Sequence, residues 1–195
     1  MSQEQLMNWI AHLWRCCKQT QASQIAEFAV ALPLLAVVVI GITDFGSAFD
    51  LKYRLSNGVR AGVRVASTQS TSDDTDAVPV SVTAVRDAVD SYLIGDHVND
   101  CGLATATPTQ SASTLVWTYT ANTACAGGGT LTLIVDRGKT FTTTGGVTVT
   151  VETTRVSISY PFKWRFSNVI RVLIPTARYA GITLISSEAV MQNLN

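Results

Sequence analysis

An uncharged apolar run near the N-terminus limits the fold more than any other feature of the sequence. It reads FAVALPLLAVVVIGIT from Phe28 to Thr43, and it extends to Phe49 if Asp44 is accepted at its boundary. A helix that crosses a bilayer needs roughly 20 predominantly apolar residues. Because a soluble domain in a 195-residue chain needs no helix of such uniform apolarity at its start, we predict a single membrane span over residues 25–49.

The run has two alternative interpretations, a buried core helix and a cleaved secretory signal. Small residues at Gly46, Ser47 and Ala48 suit a signal peptidase. The polar leader is long for a signal, however, and Asp44 lies just ahead of that cleavage position. Both features favour a retained membrane helix.

The orientation of the span does not follow from flanking charge alone. The flanking bases are Arg15 and Lys18 before the run and Lys52, Arg54 and Arg60 after it. Although this count slightly favours the opposite orientation, long C-terminal domains translocate largely regardless of charge. We therefore predict a cytoplasmic leader over residues 1–24 and an exported C-terminal part.

Beyond the span the helix is predicted to continue as an amphipathic stalk over residues 50–66. Small or apolar residues recur with a period near 3.6 at Leu51, Leu55, Val59, Gly62 or Val63, and Ala66. Gly58 and Gly62 share one side and allow close approach of another backbone, while Arg60 and Arg64 form a basic pair one turn apart. The glycines serve either a subunit contact or packing of the stalk on its own domain.

Residues 67–195 are predicted to form an exported α+β domain. A polar loop, Ser67 to Asp76, precedes a short helix over residues 79–94. Runs rich in Val, Ile, Thr and aromatic residues then predict an antiparallel sheet, with strands over 114–120, 130–135, 147–160 and 179–187. Gly145-Gly146 marks a hairpin turn before the longest strand.

The four cysteines fall into two pairs with different predicted chemistry. Cys101 and Cys125 lie in the exported part, where an oxidising compartment favours a disulfide over two free thiols. Cys16 and Cys17 lie in the leader and receive no chemical role.

No catalytic or metal-binding constellation is predicted, and we expect no cofactor, no metal and no enzymatic activity. The exported part contains one histidine, His97, and no Gly-x-Ser-x-Gly motif. Asp87 and Asp90 on the short helix are expected on a solvated face. The 14 basic and 14 acidic residues balance, which argues against a nucleic-acid partner.

Charge is nevertheless segregated along the exported part. Residues 67–100 contain seven acids and one base, whereas residues 137–178 contain seven bases and one acid. Such a chain either neutralises itself internally or presents complementary faces to other subunits. The sequence leaves both options open.

The N-terminal residues resemble a known family. The segment QASQIAEFAVALPLLAVVVIGITDFG, the following RLSNGVRAGVRVAS and a later VSISYPF are similar to TadE-like minor pilins, or pseudopilins, of bacterial tight-adherence (Flp-type) pilus systems. The motif elements are Glu27-Phe28 at the entrance of the span, Pro33 within it, and Asn57-x-x-Arg60-x-Gly62-x-Arg64 on the stalk.

This resemblance implies a single-pass protein of the bacterial inner membrane with a pilin-like periplasmic domain. It implies partners among other pilin or pseudopilin subunits and the pilus assembly machinery, a place in a cell-surface pilus, and an assembly role for Glu27 and Phe28. It also implies that a prepilin peptidase cuts between Ala22 and Ser23, which makes Glu27 the fifth mature residue. Alanine stands there in place of the usual glycine.

A membrane-anchored periplasmic binding or adhesion module is the alternative function. It predicts that aromatic rings such as Trp117, Tyr119 and Trp164 form an exposed patch. A minor pilin predicts no such patch, so the burial of these rings distinguishes the two functions.

Overall fold

The computed structural model describes residues 20–111, 114–125, 128–145, 147–166 and 182–194. Most of the predicted leader, with Cys16 and Cys17, and Gly146 of the predicted turn lie outside the described residues. The chain divides into two compact units with a boundary between Phe45 and Gly46.

A single helix, α1, runs from Thr20 to Thr68 and includes both the predicted span and the predicted stalk. Pro33 lies inside it. Proline has no N–H to donate to the carbonyl four residues earlier, so α1 lacks one backbone bond at this point. The helix is otherwise built of small, aliphatic and polar residues compatible with helical geometry, and the prediction of one continuous helix is confirmed.

The C-terminal unit adds a second helix, a 3₁₀ turn and one sheet. Helix α2 spans Val80–Gly95, close to the predicted 79–94, and the 3₁₀ turn spans Leu103–Thr105. The strands are β1 (Pro108–Gln110), β2 (Val116–Ala121), β3 (Leu131–Gly145), β4 (Val147–Lys163) and β5 (Ile182–Gln192). They form an antiparallel sheet in the order β1-β2-β3-β4-β5. The predicted α+β class is confirmed.

The strand bounds differ from the prediction chiefly in β3. The prediction ended this strand at Val135, but it continues ten residues further to Gly145. The register of the pairing with β4 shifts between Asp136 and Lys139, as at a β-bulge, and the pairing continues beyond this point. Beyond it, Gly145 pairs with Val147, which agrees with a tight reversal at the predicted turn.

The core lies between the two helices and one face of the sheet. Helix α1 contributes Leu55, Val59, Val63 and Ala66, four of the positions that the predicted amphipathic period indicates. The opposing core side chains are Val82, Val85, Val89 and Leu93 of α2, and Trp117, Tyr119, Leu133, Val135, Val156 and Ile158 of the sheet. Burial of each large aliphatic side chain stabilises the fold by about 1.5–3 kcal/mol.

Cys101 and Cys125 form the predicted disulfide, with their Cα atoms 4.5 Å apart. The bond joins the segment after α2 to the segment after β2. Cys101 is fully buried, and its N–H donates to the Asn99 side chain at 2.7 Å.

Candidate functional site

The N-terminal part of α1 exposes large apolar side chains over its whole length. Phe28 is 62% exposed, and the other exposed large side chains are Ile25, Val30, Leu32, Leu34, Leu35, Val38, Val39 and Ile42. A helix that is apolar on all sides belongs in a protein core or in a membrane. Since none of these side chains is in the core, another apolar phase must cover them.

Among the described residues, Ser23–Thr68 is the one helix that is long and apolar enough to cross a membrane. None of its most apolar 18-residue window is buried, whereas the core helix of a soluble protein is mostly buried. Signal sequences satisfy the same criterion of length and composition. Helix α1 continues without a break through Gly46, Ser47 and Ala48, the small residues at which a signal peptidase would cut.

Two acidic residues bracket the apolar stretch. Glu27 and its neighbour Phe28 are exposed near the start of α1, and Asp44 is buried. At 1.5 Å per residue, Glu27 and Asp44 lie about 26 Å apart along the helix. The hydrocarbon core of a bilayer is about 30 Å thick. Both carboxyl groups are therefore spaced to lie near its two edges.

The hydroxyl group of Thr43, near the end of the apolar stretch, forms its hydrogen bonds within the helix. Thr43 Oγ1 donates to the carbonyl oxygens of Val39 and Ile40, at 3.1 and 2.9 Å. Such back-bonding lets a threonine lie in an apolar environment without an unpaired donor.

The four predicted stalk residues separate into two groups. A Cβ added at Gly62 would lie 2.6 Å from Val89 Cγ2, and one added at Gly58 would lie 3.3 Å from the Tyr92 ring. The glycines therefore serve the second alternative, packing on their own domain. Arg60 and Arg64 are exposed, so they remain accessible to a partner.

Two acids of the loop after α1 tie it to α2 and β3. Arg137 Nε lies 3.3 Å from Asp74 Oδ1, and Arg137 Nη2 donates to the carbonyls of Gln69 and Ser70 just beyond α1. The backbone N–H of Ser81 donates to Asp73 Oδ2 at 2.8 Å, which satisfies a donor in the first turn of α2.

The pKa values of these two acids move in opposite directions. Burial raises the pKa of Asp74, and the nearby Arg137 charge opposes this shift only in part. Burial also acts to raise the pKa of Asp73, but the hydrogen bonds from Ser81 help to bring it below its ordinary value. Asp74 and Arg137 thus pair the acidic and basic segments internally, an interaction that the sequence analysis did not identify.

Asp90 corrects one expectation about α2. Asp87 is exposed as predicted, but Asp90 is buried, because it lies on the face of α2 that carries Val82, Val89 and Leu93. Burial raises the pKa of Asp90, and the charge of Asp100 and a hydrogen bond to it raise it further.

The aromatic residues Trp117, Tyr119 and Trp164 do not form the exposed patch that a binding module predicts. Trp117 and Tyr119 are fully buried in the core. Trp164 is partly buried, donates from Nε1 to Thr183 Oγ1 at 2.8 Å, and packs edge-on against Phe162 with ring centroids 5.1 Å apart. Two of the three rings are therefore unavailable to a ligand.

His97 is exposed, as predicted, just after α2. It lines a cleft of about 480 Å³ together with Asp50 and Arg54. In this cleft Asp50 Oδ2 accepts from Arg54 Nε at 2.8 Å, which gives the carboxylate a structural partner.

Comparison with known proteins adds one match. The family model of TadE-like proteins matches residues 22–64, which is the apolar part of α1 and most of the stalk. Neither the curated proteins nor the solved structures include a match to the chain. The resemblance predicted from the sequence is thus confirmed for residues 22–64 of the N-terminal helix, which match the family of TadE-like proteins.

Proposed function

We propose that the chain is a non-catalytic, single-pass inner-membrane minor pilin or pseudopilin that takes part in assembling or priming a bacterial tight-adherence pilus. One observation carries the proposal. The residues that match the TadE-like family include the exposed apolar part of α1, which needs an apolar environment. Both a bilayer and a bundle of similar helices provide such an environment.

The proposed topology places the leader in the cytoplasm and the C-terminal unit in the periplasm. The Cys101–Cys125 disulfide supports this side of the membrane, because disulfides persist in the periplasm and are rare in the cytosol. Closing a loop of this length stabilises the domain by about 3 kcal/mol in the chain-entropy model.

Glu27 is the proposed assembly residue, with Phe28 beside it. Near a bilayer edge the carboxylate retains contact with headgroups and water. When the helix leaves the bilayer for a helical bundle, the charge needs compensation. A cation or an N-terminal amine of a neighbouring subunit supplies it.

Arg60 and Arg64 are proposed to contact neighbouring subunits, because they are exposed on the stalk while its glycines are occupied by α2. The leader is proposed to be cut by a prepilin peptidase between Ala22 and Ser23. The burial of Trp117 and Tyr119 gives the adhesion module no comparable support.

A comparison of pilus assembly in the wild type and in Glu27→Gln tests the proposal. The substitution keeps size and hydrogen bonding but removes the charge. We expect membrane insertion and domain stability to stay nearly unchanged while the amount of assembled pilus falls. Glu152→Gln, which removes an exposed carboxylate from β4, is the matched control.

Copurification from native membranes, followed by identification of the mature N-terminus, tests partners and processing together. We expect other pilus subunits in the complex and Ser23 as the first residue.

Normal pilus assembly by Glu27→Gln at equal protein level would reject the assembly role of Glu27.

A further inference from the structure

Residues 46–68 of α1 belong to the C-terminal unit, and strand β4 runs beside them. A Cβ added at Gly62 would lie 3.7 Å from Val156 Cγ1, whereas nearer the start of this part Asp50 lines the same cleft as Phe162 and Arg165. Strand β4 therefore runs toward lower residue numbers of α1 as it proceeds. Its last residues therefore lie near Asp50, at the end of the unit where its own part of α1 begins.

This end combines basic and large apolar side chains. Phe49 and Tyr53, one helical turn apart, are 72% and 67% exposed, and Lys52 lies between them. At the end of β4, Lys163 and Arg165 are exposed on either side of Trp164. These six residues are called the collar below.

Two contacts hold the collar in place. Lys52 Nζ donates to the Ser186 carbonyl of β5 at 2.6 Å, which joins the helical and strand portions. Phe162 and Thr183 fix the indole of Trp164, as described above. The collar is thus preorganised by the sheet.

The charges at the collar are positive and available. Within the described part of the chain, neither Lys163 nor Arg165 forms an ion pair, and the nearby acid Asp50 is bound to Arg54. At the opposite end the charges balance, because one cleft is lined by two acids and two bases, Asp74, Glu152, Arg137 and Lys139. The excess of basic side chains at the collar therefore favours contact of this end with an anionic surface.

Basic side chains with aromatic rings are typical of membrane-water interfaces, where long basic chains reach phosphate groups and aromatic rings lie among the headgroups. Phe49, Lys52 and Tyr53 all lie within ten residues of Thr43, the end of the uncharged run. At 1.5 Å per residue their Cα atoms lie about 9–15 Å beyond Thr43 along the helix, and the headgroup region adds about 5–8 Å on each side. Side chains on a helix tilt toward its N-terminus, so these long side chains extend back toward the headgroups.

We propose that the collar of Phe49, Lys52, Tyr53, Lys163, Trp164 and Arg165 docks the C-terminal unit onto anionic phospholipid headgroups. The inference rests on the proposed membrane anchor and adds a second, surface contact between protein and lipid. This contact holds the unit against the bilayer until it is released into an assembly.

The test uses the full chain in nanodiscs, with Cys16 and Cys17 replaced by serine and the disulfide intact. A nitroxide label is attached at Leu184→Cys, on β5 beside the collar, or at Gln192→Cys, at the other end of the same strand. Both positions are exposed, so neither substitution disturbs the core. Collision with a water-soluble nickel chelate measures how far lipid covers each label.

We expect the Leu184 label to be shielded in discs of equimolar phosphatidylcholine and phosphatidylglycerol, and less so in phosphatidylcholine alone. The Gln192 label should remain accessible in both. Because each base near an anionic surface favours contact by roughly fivefold, replacing Lys52, Lys163 and Arg165 by glutamine should lower the docked population at least about tenfold. The matched control replaces Arg60, Arg64 and Lys139 by glutamine and should leave docking unchanged.

The outcomes separate the collar from the anchor. A chain that inserts but shows equal Leu184 accessibility in both lipid compositions rejects the collar and leaves the anchor standing. An equal effect of the two triple substitutions also rejects it, because the attraction would then be general. A chain that fails to insert overturns the anchor and the collar together.

Discussion

The two halves of α1 belong to one helix but carry different patterns of exposure. Between residues 23 and 43 large apolar side chains are exposed along the helix, whereas between residues 50 and 68 one apolar stripe is buried and the exposed positions include Lys52, Arg60 and Arg64. A stripe of period 3.6 indicates a packing partner on one side, and uniform apolarity indicates an apolar environment on all sides. The second half meets the sheet and α2. The first half requires lipid or other helices.

The largest expected effect comes from placing charge in the first half. Replacing both Leu34 and Val38 by aspartate should cost about 5–7 kcal/mol of insertion free energy, from about 2.5–3.5 kcal/mol for each charge at a helix centre. We expect the chain to leave the carbonate-resistant membrane fraction. The control variant, Arg60→Asp with Arg64→Asp, carries the same spacing on the second half and should stay in the membrane. Equal membrane retention of both variants would remove the distinction between the halves.

A smaller effect is expected from Gly62→Ala in the second half. The new Cβ would overlap Val89, and overpacking of a core typically costs about 1–3 kcal/mol, partly offset by about 1 kcal/mol of helix propensity. Urea unfolding in detergent should show a lower free energy of unfolding. Gly46→Ala has open space around its Cβ and should not be destabilising.

The same site provides a rescue experiment. Val89→Ala added to Gly62→Ala removes the overlapping methyl group and should be less damaging than the sum of the two single changes. Strict additivity would mean that the close approach of α1 and α2 does not explain the glycine.

The smallest effect concerns the pH dependence of the buried Asp90. Its raised pKa means that the folded chain holds its proton at a pH where the unfolded chain has lost it. Its contribution to the free energy of unfolding therefore falls as the pH rises from the unfolded pKa through the raised folded pKa. Asp90→Asn should flatten this slope and stabilise the chain at neutral pH.

Unfolding of the wild type and the variant across this pH range measures the difference. Asp87→Asn is the control on the exposed face of α2, and it should change the slope much less, because the Asp87 charge is the smallest contribution to the raised pKa of Asp90. An unaltered slope in Asp90→Asn would contradict the assigned burial effect.

The sequence was sufficient for features with a strong local pattern. The apolar run predicted the long, exposed apolar helix, the period at Leu55, Val59 and Val63 predicted the buried stripe, and the two separated cysteines predicted the disulfide. In each case one physical requirement determined which residues occur: removal of apolar side chains from water for the two helical patterns, and an oxidising compartment for the cysteine pair.

The sequence was insufficient for features that depend on contacts between residues far apart in the chain. The predicted strand ended at Val135, but pairing with β4 carries β3 on through a bulge between Asp136 and Lys139. Asp90 has an ordinary helical environment in the sequence, and neither its burial nor its interaction with Asp100 follows from a local pattern. Likewise, the collar joins residues more than a hundred positions apart, such as Lys52 and Lys163, so no local pattern contains it.

Protease digestion of intact spheroplasts tests the proposed arrangement of the two halves most directly. The account predicts that protease removes residues after about position 50 and leaves the span and leader protected, because the bilayer covers the first half of α1. Tags at the two termini would report the fragments. Protection of the C-terminal unit together with digestion of the leader would contradict the proposed topology.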